Sequence, residues 1–329
     1  MSTFIVNALT VDLEDYYMVS AFERVVTRED WSAHESRIER NTHRVLDMLS
    51  DATPRLPRQN DQNALPHVSK PKPGVKATFF CLGWIAERYP HLIRDIVERG
   101  HEVASHSYDH KLIYEMTADD FREDVRRSKK ILADITGREV IGYRAPSYSI
   151  TEKSFWALRI LAEEGYRYDS SIFPIHHDRY GIPSAPRFPF RVNLNDGFQA
   201  AGTAIPDFSR MQPWEPGQDV SKNRCLVEFP ISTVQLFGMN VPVAGGGYMR
   251  LLPYRLMKRG LDKINNDEQR PFVFYIHPWE LDPEQPRITG VPLLSRFRHY
   301  INLDETAVKM KSLLSDFSFS TMAAVIGLG

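Results

Sequence analysis

The stretch FIVNALTVDLED, residues 4–15, is an apolar run that ends in three carboxylates. The run over residues 4–11 predicts a buried strand. Asp12, Glu14 and Asp15 follow at the end of that strand. In barrels of alternating strands and helices, functional side chains lie at the carboxyl ends of the strands. These twelve residues therefore predict both a strand and a candidate site.

Further apolar runs alternate with helical patterns along the chain. The strand candidates besides the first are 77–82, 102–105, 140–143, 226–230 and 272–277. The helix candidates are 36–50, 84–99, 118–136, 151–164 and 253–266. Gly100, Gly137 and Gly165 lie just past three of these helices, where a left-handed residue commonly ends a helix. The alternation predicts an α/β fold, a distorted (β/α) barrel of parallel strands with outer helices.

Two irregular regions interrupt the pattern. Residues 51–76 are rich in Pro, Gln, Asn, Asp and Lys, which predicts a flexible surface insertion. Residues 173–224 combine many prolines with aromatic residues, which predicts ordered loops over the barrel mouth, either an inert cover or a sugar-binding lid. We expect residues 1–329 to form a single domain whose C-terminal part, from about 225, is specific to its family.

The sequence HSYDH, residues 106–110, carries two histidines four residues apart. One helical turn at this spacing aims both imidazoles at a single point. A pair alone is more commonly a capped helix start or a surface pair. Two histidines with a carboxylate are, however, a common ligand set for a catalytic divalent metal.

Three later stretches complete an ordered set of motifs: RAPSYS at 144–149, YDSS at 168–171 and FVFYIHPWE at 272–280. With the two stretches above, they resemble the NodB-type polysaccharide deacetylases, carbohydrate esterase family 4, over about residues 5–280. The phrases LGWIAERYP (82–90), GGGYMRLLPY (245–254) and HPWELD (277–282) are similar to one branch, the deacetylases of exosortase-linked exopolysaccharide loci.

The resemblance implies a divalent metal, expected to be zinc, held by His106, His110 and one acidic residue. The family commonly has two adjacent aspartates at this point, whereas here Asp12 is followed by Leu13. If the strand continues, Glu14 points to the same side as Asp12. If a turn begins instead, Asp15 is the ligand, and we favour Asp15 because aspartate is the family's usual residue.

The resemblance also implies catalytic roles. Asp12 corresponds to the general base and Arg144 to the cation that orients it. Tyr148 stands where a backbone N–H helps to bind the oxyanion. His277 corresponds to the general acid, and Asp169 is expected to support its charged form.

The predicted function is metal-dependent hydrolysis of N-acetyl groups on an amino sugar of an exopolysaccharide or its lipid-linked precursor. The alternatives are a deformylase or deacylase of a lipid-linked monosaccharide, and a catalytically silent carbohydrate-binding barrel. A net charge of −1 argues against nucleic acid as a partner. The chain has only two cysteines, each in an apolar run, which predicts buried free thiols. We find no signal-peptide pattern and no membrane-spanning stretch in the sequence, which predicts a cytoplasmic protein.

Overall fold

The computed structural model describes residues 5–53, 74–177, 179–193, 208, 211–218 and 225–328. Its main sheet has nine strands in the order β10-β1-β2-β3-β4-β5-β7-β6, with β11 also paired to β1. Neighbouring strands are parallel except β6 and β7, and β8 and β9 form a separate antiparallel hairpin. The strands are β1 (Val6–Leu13), β2 (Thr78–Cys81), β3 (Glu102–Ser105), β4 (Gly142–Tyr143), β5 (Tyr168–Asp169), β6 (Phe190–Asn193), β7 (Cys225–Glu228), β8 (Thr233–Leu236), β9 (Met239–Pro242), β10 (Val273–Ile276) and β11 (Ser318–Ser320).

Helices follow most of these strands and cover the outside of the sheet. They are α1 (Ile38–Asp51), α2 (Gly83–Arg88), α3 (Pro90–Glu98), α4 (Ala118–Thr136), α5 (Trp156–Glu163), α6 (Gly246–Leu251), α7 (Tyr254–Asp262), α8 (Leu293–Tyr300), α9 (Leu303–Asp316) and α10 (Met322–Val325). Alternate strand residues such as Leu9, Val11 and Phe79 pack beneath these helices in the outer core.

The opposite face of the sheet encloses a second core. Ala8, Phe80 and Val273 lie on adjacent strands at one side of the sheet and Val227 lies on the distant strand β7, yet all four belong to one buried cluster. The sheet must therefore curve around that cluster as a half-barrel. This arrangement confirms the predicted α/β class with parallel strands and outer helices.

The C-terminal helix α10 closes the amino-terminal end of the half-barrel. The backbone N–H of Met322 donates to Thr78 Oγ1 over 2.8 Å, and that of Ala323 donates to the Glu102 carboxylate over 3.2 Å. Thr78 and Glu102 are the first residues of β2 and β3. The other end, where the strands finish, remains available for the site.

Several local predictions need correction. The helix expected over 84–99 is divided at Tyr89 because Pro90 lacks an N–H and begins α3 instead of continuing α2. Left-handed glycines end α3, α4 and α5 as expected: Gly100, Gly137 and Gly165 have φ of 77°, 64° and 78°. Most of the predicted insertion, residues 54–73, lies outside the described residues.

Both cysteines, Cys81 and Cys225, are free and buried, as predicted. Across the described ranges, no helix combines the length and apolar character needed to cross a bilayer.

Candidate metal centre and active site

A carboxylate from beyond the end of β1 meets two imidazoles from the segment after β3. Oε1 of Glu14 lies 3.1 Å from Nε2 of His106 and 3.1 Å from Nε2 of His110. All three residues are buried, and one ligand atom from each lies within 4.8 Å of the other two. Within the described part of the chain, this is the only group of three His, Cys, Asp or Glu residues with such geometry.

The hydrogen bonding of His106 tests whether this group fits a cation. Nδ1 of His106 lies 2.7 Å from the carbonyl oxygen of Arg144, so the network assigns the proton to Nδ1. Nε2 is then the ring atom that faces the Glu14 carboxylate and that would face a cation held between them. Burial alone raises the pKa of the Glu14 carboxyl, but the neighbouring histidines hold it well below its usual range. An ionised carboxylate and two imidazoles aimed at one point are a suitable donor set for a divalent ion such as Zn²⁺.

The structure brings Glu14, and not Asp15, together with the two histidines, so its geometry does not match the preference for Asp15. β1 ends at Leu13, and the Glu14 backbone N–H donates to the carbonyl oxygen of Asp12 over 3.0 Å, so a tight turn follows the strand. Asp12 and Glu14 nevertheless line the same cleft. The Asp15 carboxylate instead accepts hydrogen bonds of 2.8 Å from the Ser36 hydroxyl and the Arg37 backbone N–H, at the start of α1. Burial raises the pKa of Asp15 to about 6 despite these hydrogen bonds.

The two histidines converge without the predicted helical turn. Residues 106–110 form an irregular loop in which Ser107 and His110 have positive φ values of 65° and 61°. Arg28 fixes the far end of this loop by donating to the carbonyl oxygens of Asp109, over 2.7 Å, and His110, over 3.1 Å. The left-handed residues reverse the chain and bring His110 back toward His106.

Asp12 lies beside the candidate metal group and is paired with Arg144. The guanidinium donates to Asp12 Oδ1 over 2.6 Å and to the Thr10 hydroxyl over 2.8 Å. Its other nitrogens donate to the backbone oxygen and the hydroxyl of Ser170. Burial disfavours the charged guanidinium, but Asp12 raises the pKa of Arg144 above its ordinary value. Arg144 therefore remains a fixed positive charge against the carboxylate, as the motif predicts.

His277 follows β10 and faces the same carboxylates from another side. Its Nε2 lies 3.8 Å from Glu14 Oε1 and 4.0 Å from Asp12 Oδ2. Its Nδ1 lies 3.4 Å from Glu280 Oε2, which also accepts the His277 backbone N–H over 3.0 Å. Burial lowers the pKa of His277, but the charges of Glu14, Glu280 and Asp12 outweigh burial and raise it to about 9.

Glu280 is held in turn by residues that the sequence did not assign to the site. Arg250, buried on α6, donates through Nε to Glu280 Oε1 over 3.0 Å. A Cβ on Gly246 would overlap the Glu280 carboxylate, and one on Gly245 would overlap the Tyr275 ring. The only sequence signals were the three consecutive glycines and an acid three residues after His277.

Among the contacts of the described residues, none joins Asp169 to His277, so the structure does not place Asp169 where it was predicted to support that histidine. Its Oδ1 accepts the Ser171 hydroxyl over 2.6 Å, and its charge interacts with the buried Glu228. Glu228 itself accepts the backbone N–H of Ile172 over 2.9 Å. Burial and the neighbouring Asp169 raise the pKa of Glu228 well above its ordinary value.

The backbone N–H of Tyr148, predicted to face an oxyanion, is engaged in a turn. It donates to the carbonyl oxygen of Ala145 over 3.1 Å. Ser147 and Tyr148 both have positive φ, 50° and 54°, which exposes the inner side of this turn to the cleft. The structure places the Tyr148 ring in the site but does not leave its N–H free.

A cleft of about 750 Å³ opens over these residues. Asp12, Glu14 and His277 line it, and part of its wall comes from the Pro-rich region through His176, His177, Arg179 and Tyr180. In that region Tyr180 packs edge-on against Tyr148, with ring centroids 6.1 Å apart. The region therefore contributes to the wall of the cleft.

Comparison with known proteins finds two matching family models and several structures of similar fold. A family model described as polysaccharide deacetylase matches residues 36–168, and one described as a domain of unknown function (DUF3473) matches residues 198–327. Among solved structures, a putative polysaccharide deacetylase from Mycobacterium smegmatis superposes with a TM-score of 0.54 at 17% identity, covering 99% of this chain and 94% of that one. An allantoinase, Puue, superposes with a TM-score of 0.52 at 13% identity, covering 98% of this chain and 89% of that one. These two superpositions show the fold.

Sequence relatives cover part of the chain. A peptidoglycan deacetylase of Helicobacter pylori is 29% identical over 156 residues, 47% of each protein. A peptidoglycan-N-acetylglucosamine deacetylase of Bacillus cereus is 33% identical over 84 residues, 25% of this chain and 30% of that one. The chain thus spans less than half the length of either relative. The similarity to the exosortase-linked branch stays a prediction.

The polysaccharide deacetylase model covers Arg144 and the two histidines of the candidate metal group, His106 and His110. Over residues 36–168, the chain is similar to the polysaccharide deacetylase family.

Proposed function

We propose that this protein is a metal-dependent hydrolase that removes N-acetyl groups from an amino sugar of a glycan. The observation that carries the proposal is the cluster of Glu14, His106 and His110 at the cleft, with Asp12 and His277 beside it. The relatives named as peptidoglycan deacetylases support the same chemistry.

Glu14, His106 and His110 would hold the ion, with zinc as the expected metal. When bound, such an ion lowers the pKa of a bound water to about 7 and polarises a carbonyl group. The remaining chemistry is assigned to side chains of the chain.

Asp12 is suited to accept the proton of the attacking water. Arg144 occupies Asp12 Oδ1, which leaves Oδ2 on the side that faces His277. As the water oxygen bonds to the amide carbon, the water proton passes to Asp12.

His277 is suited to donate a proton to the leaving nitrogen. The carboxylate of Glu280 keeps its ring protonated and fixes its orientation through Nδ1. When the C–N bond breaks, the Nε2 proton passes to the amine, and acetate and a free amino sugar are released.

The segment of unknown function therefore contributes to catalysis in this proposal. Arg250, His277 and Glu280 all lie within residues 198–327, whereas both histidine ligands lie within residues 36–168. Neither matched region alone contains the full set.

The substrate is proposed to be an exopolysaccharide or its lipid-linked precursor, in keeping with the branch resemblance. The silent carbohydrate-binding alternative rested on the unusual DLED sequence. Because Glu14 fills the third ligand position, that departure does not leave the group incomplete.

The test measures metal content and acetate release together. We expect about one equivalent of zinc in the purified protein, and acetate release from an N-acetylglucosamine oligomer that a chelator abolishes and zinc restores. The His106→Ala variant should lose metal and turnover together. Metal-independent acetate release, or a metal-loaded protein that releases acetate from none of several N-acetylated glycans, would overturn the proposal.

A further inference from the structure

One arginine at the cleft has no role in the proposed hydrolysis. Arg298 lies near the end of α8 and lines the cleft. The structure gives it no ion pair with any carboxylate in the described ranges. The buried carboxylates of the same cleft are engaged, Asp12 with Arg144 and Glu280 with Arg250.

Hydrogen bonds from Arg250 fix the backbone around Arg298. Arg250 donates through one nitrogen to the carbonyl oxygens of Arg298, over 2.7 Å, and His299, over 2.8 Å. The His299 ring stacks on Trp279, with centroids 4.1 Å apart. These contacts hold the end of α8 against the wall that carries His277, so the backbone of Arg298 is fixed beside the cleft.

The surroundings of Arg298 are positive and aromatic. Arg298 and Tyr180 both line the cleft. Burial raises the pKa values of Tyr180 and Tyr248, and the Arg298 charge opposes the rise in both. Among the described neighbours that shift these two tyrosines, no carboxylate is present. His299 likewise lies among the positive charges of Arg250, His277 and Arg287. The net charge of the whole chain is −1, but this wall of the cleft carries several positive charges.

We propose that Arg298, together with Tyr180 on the wall of the same cleft, binds an anionic group of the glycan close to the N-acetylated sugar. The inference rests on the proposed function and narrows it to acidic substrates. A guanidinium without an acidic partner in the described ranges offers several hydrogen-bond donors to one carboxylate or phosphate. A neutral glycan leaves these donors to water.

Two sources would supply this chemistry: a uronate in the polymer, or a phosphate at the anomeric position of a precursor. The experiment uses one matched pair for each. An oligosaccharide that alternates N-acetylglucosamine with glucuronate is compared with a neutral N-acetylglucosamine oligomer of equal length. N-acetylglucosamine 1-phosphate is compared with the methyl glycoside of N-acetylglucosamine.

The zinc-loaded full chain should prefer the charged member of at least one pair. Arg298→Ala should reduce kcat/KM for that member by about tenfold or more, mainly through KM, because a charged hydrogen bond is lost. The same variant should leave the neutral member within about twofold, as expected for an exposed surface change. The preference should also weaken as salt screens the arginine.

Arg296→Ala is the matched control. It removes the same charge from the same helix, but Arg296 does not line the cleft. It should leave both pairs unchanged. Equal rates for charged and neutral members, or equal losses on both in Arg298→Ala, would overturn the inference.

Binding separates this inference from the proposed hydrolysis. Calorimetric titration of the same four ligands does not require turnover. Tighter binding of a charged member that Arg298→Ala removes would support the anion site even if no acetate is released. Acetate release without any charge preference would retain the hydrolase and reject the anion site.

Discussion

The substitution Glu280→Gln tests how the proposed acid is kept protonated. Glu280 Oε2 lies 3.4 Å from His277 Nδ1 in a buried setting. At an effective dielectric constant of about 20, two unit charges at this distance interact by about 5 kcal/mol, an upper limit. At about 1.4 kcal/mol per pKa unit, and allowing for relaxation, losing this charge should lower the pKa of His277 by about 2 units or more. The unpaired charge of Arg250 acts in the same direction.

The assay is the pH dependence of kcat for acetate release by the zinc-loaded protein. A general acid must be protonated, so kcat falls as pH rises through the pKa of His277. Glu280→Gln should move this alkaline limb to lower pH by about 2 units or more, while metal content stays unchanged. The difference between variant and wild type is the informative quantity, because Glu280 contacts Nδ1 whereas the candidate metal group faces Nε2.

Glu284→Gln is the control. Glu284 is four residues after Glu280 and has an exposed side chain, so the substitution removes the same charge outside the site. Gly246→Ala is a second variant, because its Cβ displaces the Glu280 carboxylate without removing the charge. A thermal melt of each variant shows whether it is folded. A folded Glu280→Gln protein with an unmoved alkaline limb would refute the reasoning.

Three further predictions concern carboxylates of the same site and of the core. Glu14→Gln should lose most of the bound zinc, whereas Asp15→Asn should retain it, as elemental analysis can measure; zinc loss in Asp15→Asn alone would restore Asp15 as the ligand. Asp12→Asn should retain zinc and lower kcat by about 10²–10⁴-fold, because only the base is removed; near-normal turnover would move the base elsewhere. Glu228→Gln should stabilise the protein relative to wild type at alkaline pH. The pKa values of Glu228 and Asp169 are raised, so wild-type stability falls as pH rises through them. A difference in melting temperature between variant and wild type that is equal at pH 6 and pH 9 would contradict this.

Much of the fold follows from local patterns in the sequence. The strand at 102–105 and the helix at 118–136 occur as predicted, because an apolar run and an amphipathic helix with a capping Thr117 and a terminal Gly137 leave few alternatives. The short strands β4 and β5 have only two residues each, too few for a periodic signal. The helix α10 is buried by its position beneath the half-barrel, which only the tertiary structure reveals.

The candidate site was predictable where ligands follow strand ends and obscure where they depend on distant contacts. Arg144 lies against Asp12 because both follow inward-facing positions of parallel strands. Glu280 was overlooked because its importance comes from Arg250, thirty residues earlier in the chain, and from the absence of a side chain at Gly246. No local pattern connects these positions.

The DLED sequence shows how a changed spacing can keep a constant geometry. Adjacent residues in a strand point to opposite faces, so a second aspartate directly after Asp12 needs a break in the strand to reach the same side. Here β1 ends at Leu13, and a tight turn in which the Glu14 N–H donates to the Asp12 carbonyl oxygen brings the acid two residues later into the same cleft. Glutamate is longer than aspartate by one methylene, which helps a carboxylate placed further along the chain to reach back to both histidines, 3.1 Å from each. Asp15 is thereby released to bind the start of α1, so one local change gives the two neighbouring acids separate roles.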